Sequence, residues 1–155
     1  LAIFTINSER YCFNERGEMQ TGLQSLKQAD GSFASYYFGD DGVMRTGKQT
    51  IYNDDLEENQ IWYFQTKGSL KGQGYHGERD NQVYVNGLLK KADPELRYEP
   101  VSIGEKRYLV NTSGTIQKAT SSSSSASRPE LGKGFKDIKD SNDTAWTVDT
   151  SGIIQ

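Results

Sequence analysis

The chain has 155 residues and a formal net charge of −3, with basic and acidic residues mixed along it. It contains no basic stripe of the kind that nucleic acid requires, and no apolar run approaches the ~18 residues of a membrane span. We therefore expect no nucleic-acid partner and no membrane insertion. Only 34% of the residues are hydrophobic, but 11% are aromatic and 16 are glycine. This composition favours a thin core of large side chains joined by turns over a disordered chain.

Along the chain, one short motif is repeated. Residues 11–22 (YCFNERGEMQTG) are restated at 36–47 (YYFGDDGVMRTG) and 62–72 (WYFQTKGSLKG). Weaker copies follow at 83–90 (VYVNGLLK), 108–117 (YLVNTSGTIQ) and 146–155 (WTVDTSGIIQ). Glycines at positions 17, 42, 68, 87, 114 and 152 mark the copies, and their spacing is typical of repeat architectures. The sequence therefore predicts roughly six small structural units.

Each copy has the pattern of a β-hairpin. Large apolar residues at its first and third positions predict a strand with one buried and one tolerant face. The variable middle residues are Cys12, Tyr37, Tyr63, Tyr84, Leu109 and Thr147. A polar turn then ends in glycine, and an apolar residue two positions later begins the expected return strand. These return residues are Met19, Met44, Leu70, Leu89, Ile116 and Ile154.

The copies predict an all-β fold, a solenoid-like stack of β-hairpin repeats. In the fourth copy, Asn86-Gly87 is the preferred pair for a type I′ turn. We expect a repeat array over residues 1–118, a flexible Ser-rich loop or linker over 119–134 with little to bury, and a final hairpin over 135–155. Leu1–Ile6 has the composition of a strand already under way, so we expect the chain to be a fragment of a longer protein.

The pattern Tyr-x-Phe-x-x-x-Gly-x-Met-x-Thr-Gly at 11–22 and 36–47 resembles the cell-wall-binding repeats of Gram-positive bacteria. This superfamily includes choline-binding, glucan-binding and clostridial toxin repeats. The resemblance implies a secreted, surface-associated protein that holds a cell-wall polymer or glycan with aromatic side chains in the groove between hairpins. Here the candidates for that contact are Tyr36, Tyr37, Trp62 and Tyr63, followed by Tyr84 and Tyr108. We expect Tyr37 and Tyr63 to be more exposed, whereas Tyr36 and Trp62 could instead fill the seam between units.

One position departs from the choline-binding pattern. In choline-binding members, a Trp after the Thr-Gly pair forms a wall of an aromatic cage that holds a quaternary ammonium by cation–π attraction. The corresponding residues here are Leu23, Lys48, Gln73, Ala92 and Ala119. Leu and Ala have no π-face and Lys48 repels a cation, so the sequence predicts that choline is not the ligand.

Other chemically notable residues have simpler structural interpretations. His76 lies in a turn-like segment without neighbouring metal ligands or a nucleophile. The acidic run Asp54–Asn59 lacks the spacing of a calcium loop, and Asp40 and Asp41 are adjacent turn residues rather than paired catalytic carboxylates. Cys12, the only cysteine, is interpreted as a small hydrophobic residue rather than a reactive thiol. We therefore expect no catalytic residue, metal or cofactor.

These observations favour a non-catalytic attachment module. The alternative is a purely structural spacer or adhesin stalk, which the degenerate copies and the missing Trp positions favour. An enzyme is the least favoured class, because small repeats supply neither a deep pocket nor a convergent set of titratable groups.

Overall fold

The computed structural model describes all 155 residues, and the fold is all-β. The only helical element is a single 3₁₀ turn at Pro129–Leu131, so no helix is long and apolar enough to cross a membrane. The strands are β1 (Ala2–Ile6), β2 (Glu9–Phe13), β3 (Met19–Gln20), β4 (Gly22–Lys27), β5 (Phe33–Phe38), β6 (Met44–Arg45), β7 (Gly47–Asn53), β8 (Glu58–Phe64), β9 (Gly77–Arg79), β10 (Gln82–Val85), β11 (Leu88–Leu89), β12 (Tyr98–Ile103), β13 (Lys106–Asn111), β14 (Lys136–Lys139) and β15 (Ala145–Val148).

The strands form five small sheets, and the chain divides into two compact units. Unit 1 contains Leu1–His76 and Tyr84–Leu88, and unit 2 contains Gly77–Val83 and Leu89–Gln155. The sheet orders are β1-β2-β3, β4-β5-β6, β7-β8-β11-β10-β9, β12-β13 and β14-β15. The division of the sequence at residues 118 and 134 stays a prediction.

The strand of each strong motif copy pairs mainly with the strand before it. β5 forms six residue pairs with β4, from Gly22–Phe38 to Lys27–Phe33, but only two with β6. β2 likewise pairs along its length with β1 and only briefly with β3. The predicted hairpin is thus the shorter half of a three-stranded meander. The preceding strands β4 (GLQSLK) and β7 (GKQTIYN) share Gly, Gln and one apolar position, but they were not part of the recognised motif because their apolar residues do not alternate.

Four of the predicted return residues pair with the third motif residue six positions earlier. The pairs are Phe13–Met19, Phe38–Met44, Val110–Ile116 and Val148–Ile154. The prediction for Leu70 is wrong, because Phe64 pairs instead with Gly74 and Leu70 lies in a wider loop, closed by the Gly72 N–H donating to the Gln65 carbonyl. In the fourth copy, φ is positive at both Asn86 (49°) and Gly87 (97°), which confirms the type I′ turn.

The prediction that the middle residues of the motif strand lie on a tolerant face is wrong. The middle residues Cys12 (0% exposed), Tyr84 (2%) and Leu109 (0%) are as buried as any in the protein. Cys12 packs with Leu26 and Phe38 in unit 1, and Leu109 packs with Ile138 and Val148 in unit 2. Both faces of these central strands are therefore covered, and period-two variation in sequence does not distinguish a solvated face from a second packed face.

Adjacent copies are joined by a contact between a return residue and a glycine. A methyl group added at Gly42 would overlap Met19, and the same holds for Gly152 and Ile116. The full set of pairs, each formed within one unit, is Met19–Gly42, Met44–Gly72, Leu89–Gly114 and Ile116–Gly152. In the third copy the packed glycine is Gly72 and not the motif glycine Gly68, since a Cβ at Gly68 would meet nothing within 4 Å.

The motif turn is held by the side-chain oxygen of its first residue. Asn111 Oδ1 accepts the backbone N–H groups of Ser113 (3.1 Å) and Thr115 (2.9 Å). The same pair of bonds, to the residues two and four positions later, recurs at Asn14, Asp140 and Asp149. The Asp140 turn, which joins β14 to β15, was not recognised in the sequence because Asp143 (φ 59°) occupies the glycine position.

The Ser-rich segment makes specific contacts, contrary to the expectation that it has little to bury. Ser125 is buried, and its hydroxyl donates to Asp137 Oδ2 at 2.9 Å. The same carboxylate accepts the Ser127 hydroxyl and backbone N–H, and Thr147 donates to Asp137 Oδ1 at 2.5 Å. These bonds, that of the Ser127 hydroxyl foremost, hold the pKa of Asp137 well below its ordinary value. The flexibility of the segment stays a prediction.

Replacing Gly152 with alanine is expected to destabilise the protein by about 1 to 3 kcal/mol more than replacing Gly31. Both glycines have nearly the same positive φ, 87° and 88°, so the backbone strain of alanine is matched. A Cβ at Gly31 would meet nothing within 4 Å, whereas one at Gly152 would overlap the buried Ile116. Urea unfolding of both variants measures the difference, and equal losses would show that the glycine contact contributes nothing.

Asp137→Asn is expected to lower the free energy of unfolding at pH 7 by about 1 to 2 kcal/mol, because it removes the charge that strengthens these hydrogen bonds at a partly exposed site. Since the folded-state pKa is depressed, the contribution is complete above the unfolded pKa of about 3.9 and declines as the pH falls below it. Urea titrations at pH 7 and pH 3 measure this difference. Asp143→Asn, in a neighbouring exposed turn, is the control, and a deficit as large at pH 3 as at pH 7 would contradict the assignment.

Candidate functional site

The four aromatic residues that the motif indicated as ligand contacts fall into three sets of contacts. All four are half-buried. Tyr36 is packed against the core cluster of Cys12, Leu26 and Phe38. Burial is also the main cause of the raised pKa of the Tyr36 hydroxyl. Tyr36 is therefore mainly a packing residue of unit 1.

Tyr37 and Trp62 both stack on Phe64. Their ring centroids lie 6.1 Å and 6.0 Å from that of Phe64, with interplanar angles of 18° and 4°. The other contact of the indole is with the turn glycine Gly87, where a Cβ would lie 3.1 Å from Trp62 Cε3. The buried Nε1–H of Trp62 has no hydrogen-bond partner. The indole is thus held by ring packing alone.

Tyr63 belongs to a separate cluster of three tyrosines. It contacts Tyr75 edge-on at 6.1 Å and Tyr84 at 6.0 Å, and Tyr75 contacts Tyr84 edge-on at 6.4 Å. Tyr37 and Tyr63, which the sequence indicated as the more exposed pair, are half-buried like Tyr36 and Trp62, so that ranking stays a prediction. Tyr84 and Tyr108, the next candidates, are buried in the fold.

The positions that hold the cage Trp in choline-binding repeats lie beside these rings. Leu23 is paired with Tyr37 across β4 and β5, and Lys48 with Tyr63 across β7 and β8. Both side chains are exposed, whereas the corresponding Ala92 and Ala119 are buried. The cross-strand partner of each of these two tyrosines is therefore an aliphatic or cationic side chain rather than an aromatic one.

The other chemically notable residues of the sequence lie in turns, in an ion pair and in the core. His76 Nδ1 accepts the backbone N–H of Asn86 at 3.2 Å. Asp41 forms an exposed ion pair with Arg45 at 3.0 Å. Cys12 is fully buried, and burial raises the pKa of its thiol. The acidic run at 54–59 covers the end of the β7–β8 hairpin and the start of β8.

Unit 1 also contains an open cleft of about 460 Å³ that the motif did not indicate. We call it the Phe33 cleft; it is lined by Ser32, Phe33, Ala34, Gln65, Leu70, Gln73, Gly74, Tyr75, His76 and Asn86. None of the four predicted aromatics lines it. Most of its residues lie between the motif copies, so the repeated pattern did not predict them as site residues. Two exposed apolar side chains, Phe33 (59%) and Leu70 (50%), are the features that distinguish it.

The fold is similar to that of choline-binding protein F from Streptococcus pneumoniae. The two share 19% sequence identity with a TM-score of 0.51, and the match covers 99% of this chain and 39% of that chain. A structure of CbpF in complex with ipratropium matches with 18% identity and a TM-score of 0.51, over 99% of this chain and 38% of the other. No family model and no curated protein sequence matches the chain. The chain therefore has a choline-binding-repeat-like fold and spans about two fifths of the length of these two chains.

Trp62→Ala is expected to lower the free energy of unfolding by about 2 to 4 kcal/mol, because it removes the contacts with Phe64 and Gly87. Phe33→Ala, at a far more exposed ring, should change it by about 0.5 kcal/mol or less. Denaturant unfolding followed by circular dichroism measures both values. Comparable losses in the two variants would mean that Trp62 is not a packing residue.

Proposed function

We propose that the chain is a non-catalytic attachment module of a secreted, surface-associated bacterial protein, and that it binds a cell-wall polymer or surface glycan. The observation that carries this proposal is the fold shared with choline-binding protein F. The name of that protein describes the binding of a ligand and not the catalysis of a reaction. The glycine contacts between adjacent copies support the further proposal that the repeats form a solenoid-type stack.

We propose that the ligand is not choline. A quaternary ammonium requires aromatic faces on several sides. Next to Tyr37 and Tyr63 the chain places Leu23 and Lys48, and the cation of Lys48 opposes a second positive charge. Tyr36, Tyr37, Trp62 and Tyr63, all half-buried, are proposed to contact an uncharged polymer rather than a cation.

The protein is expected to sediment with Gram-positive cell walls or with an insoluble α-glucan, because a wall-attachment module must be retained on such a surface. Millimolar choline should neither release it nor change the fluorescence of Trp62 and Trp146. The measurement is the fraction of purified protein in the pellet, with a globular protein of similar charge as the control.

Two outcomes would change this proposal. Failure to bind any wall or glucan fraction would favour the structural spacer, to which the extensive ring packing of Trp62 and Tyr63 also conforms. Release by choline, with a saturable change in tryptophan fluorescence, would contradict the exclusion of choline.

A further inference from the structure

The Phe33 cleft carries no fixed charge on any of its ten lining residues. In the whole chain, 25% of residues are Asp, Glu, Lys or Arg. A lining of this size without one of them favours an uncharged ligand, since a charged ligand would lose hydration without gaining a counter-charge. The volume of about 460 Å³ is within the range of small-molecule sites.

Two glutamines in the cleft have uncommitted side chains. Elsewhere in the chain, the side-chain amide of glutamine usually donates to a backbone carbonyl two or three residues away, as in Gln20, Gln24, Gln28, Gln49, Gln117 and Gln155. Gln65 and Gln73 use only their backbone groups, in the bond from Gln65 N–H to the Gln73 carbonyl. Each therefore presents a free carbonyl oxygen and a free amide N–H₂ group, the donor and acceptor set that matches sugar hydroxyls.

A third polar group in the cleft has a defined orientation. His76 Nδ1 accepts the Asn86 N–H, so the imidazole proton is on Nε2, which remains available as a donor. Tyr75, next to it, is held by its edge-on contacts with Tyr63 and Tyr84. His76 and Tyr75 are thus positioned before any ligand arrives, which reduces the entropy that these two side chains lose on binding.

The apolar wall is formed by Phe33 and Leu70. A hexose ring has C–H groups on its faces and hydroxyls around its rim, so it needs a flat apolar surface beneath it and hydrogen-bonding groups at its edge. The exposed Phe33 ring supplies the first, and the amides of Gln65 and Gln73 supply the second. Few other ligand classes require this combination without any charge.

We infer that the Phe33 cleft binds uncharged hexose units of a polysaccharide. The inference rests on the proposed attachment function and names the site and ligand class within it. It places the contact in the Phe33 cleft, which none of the motif aromatics Tyr36, Tyr37, Trp62 and Tyr63 lines.

The test uses dextran as a soluble neutral polysaccharide and carboxymethyl-dextran as its charged counterpart. Affinity gel electrophoresis should show retardation by dextran and at least fivefold weaker retardation by carboxymethyl-dextran. Phe33→Ala should weaken dextran binding about tenfold, and Leu70→Ala and Gln73→Leu at least threefold. The matched controls are Phe4→Ala and Leu56→Ala, which remove side chains of similar exposure (54% and 60%) outside the cleft and should leave binding unchanged.

The outcomes separate this inference from the proposed function. Dextran binding that is insensitive to Phe33→Ala, or equally sensitive to Phe4→Ala, would overturn the cleft assignment. Retention on cell walls without any dextran binding would overturn the ligand class but keep the attachment function. Failure to bind either would overturn both. Circular dichroism of each variant confirms that the effects do not come from unfolding.

Discussion

The packing of one copy against the next depends on a glycine that lies directly beneath the return residue of the preceding copy. Because the glycine lacks a Cβ, Met19, Met44, Leu89 and Ile116 can approach the backbone of the following turn. The same glycines have positive φ, so one residue satisfies both the turn and the close approach. A larger residue would force the two copies apart, and the thin core of each small sheet has little other apolar area with which to compensate.

The sequence predicted the strand type and much of the turn chemistry correctly, because both are local. Glycine positions, the Asn86-Gly87 turn and the six-residue spacing to the return residue are short-range patterns that survive in degenerate copies. The preceding strands β4 and β7 were not part of the motif, because their apolar residues do not alternate as those of the motif strands do. The burial of Cys12 and Leu109 could not be inferred, because a second packed face is a tertiary property that period-two variation does not encode.

The candidate site was harder to predict for a related reason. The repeated positions of the motif are aromatic, and in the structure their main role is packing. Trp62 stacks on Phe64, and Tyr63 contacts Tyr84. A residue that lies outside the motif copies, such as Phe33, is not constrained by this packing and is therefore free to form a local surface. In a repeat protein, side chains that do not recur deserve as much weight as those that do.

The pairing of return residue and glycine also has an evolutionary consequence. In each contact, the return residue and the glycine belong to different copies. The return residue of a copy must therefore fit the copy that follows it, and its glycine must fit the copy that precedes it. Met44 and Gly72 can be inherited together only if a duplication spans the junction between copies. A duplication that separates a return residue from its glycine would create a new pair that does not fit. An example is a branched isoleucine against a turn glycine that normally contacts methionine. Recombination should therefore preserve these four contacts rather than whole motifs, so successive copies can lose motif residues while the paired residues remain.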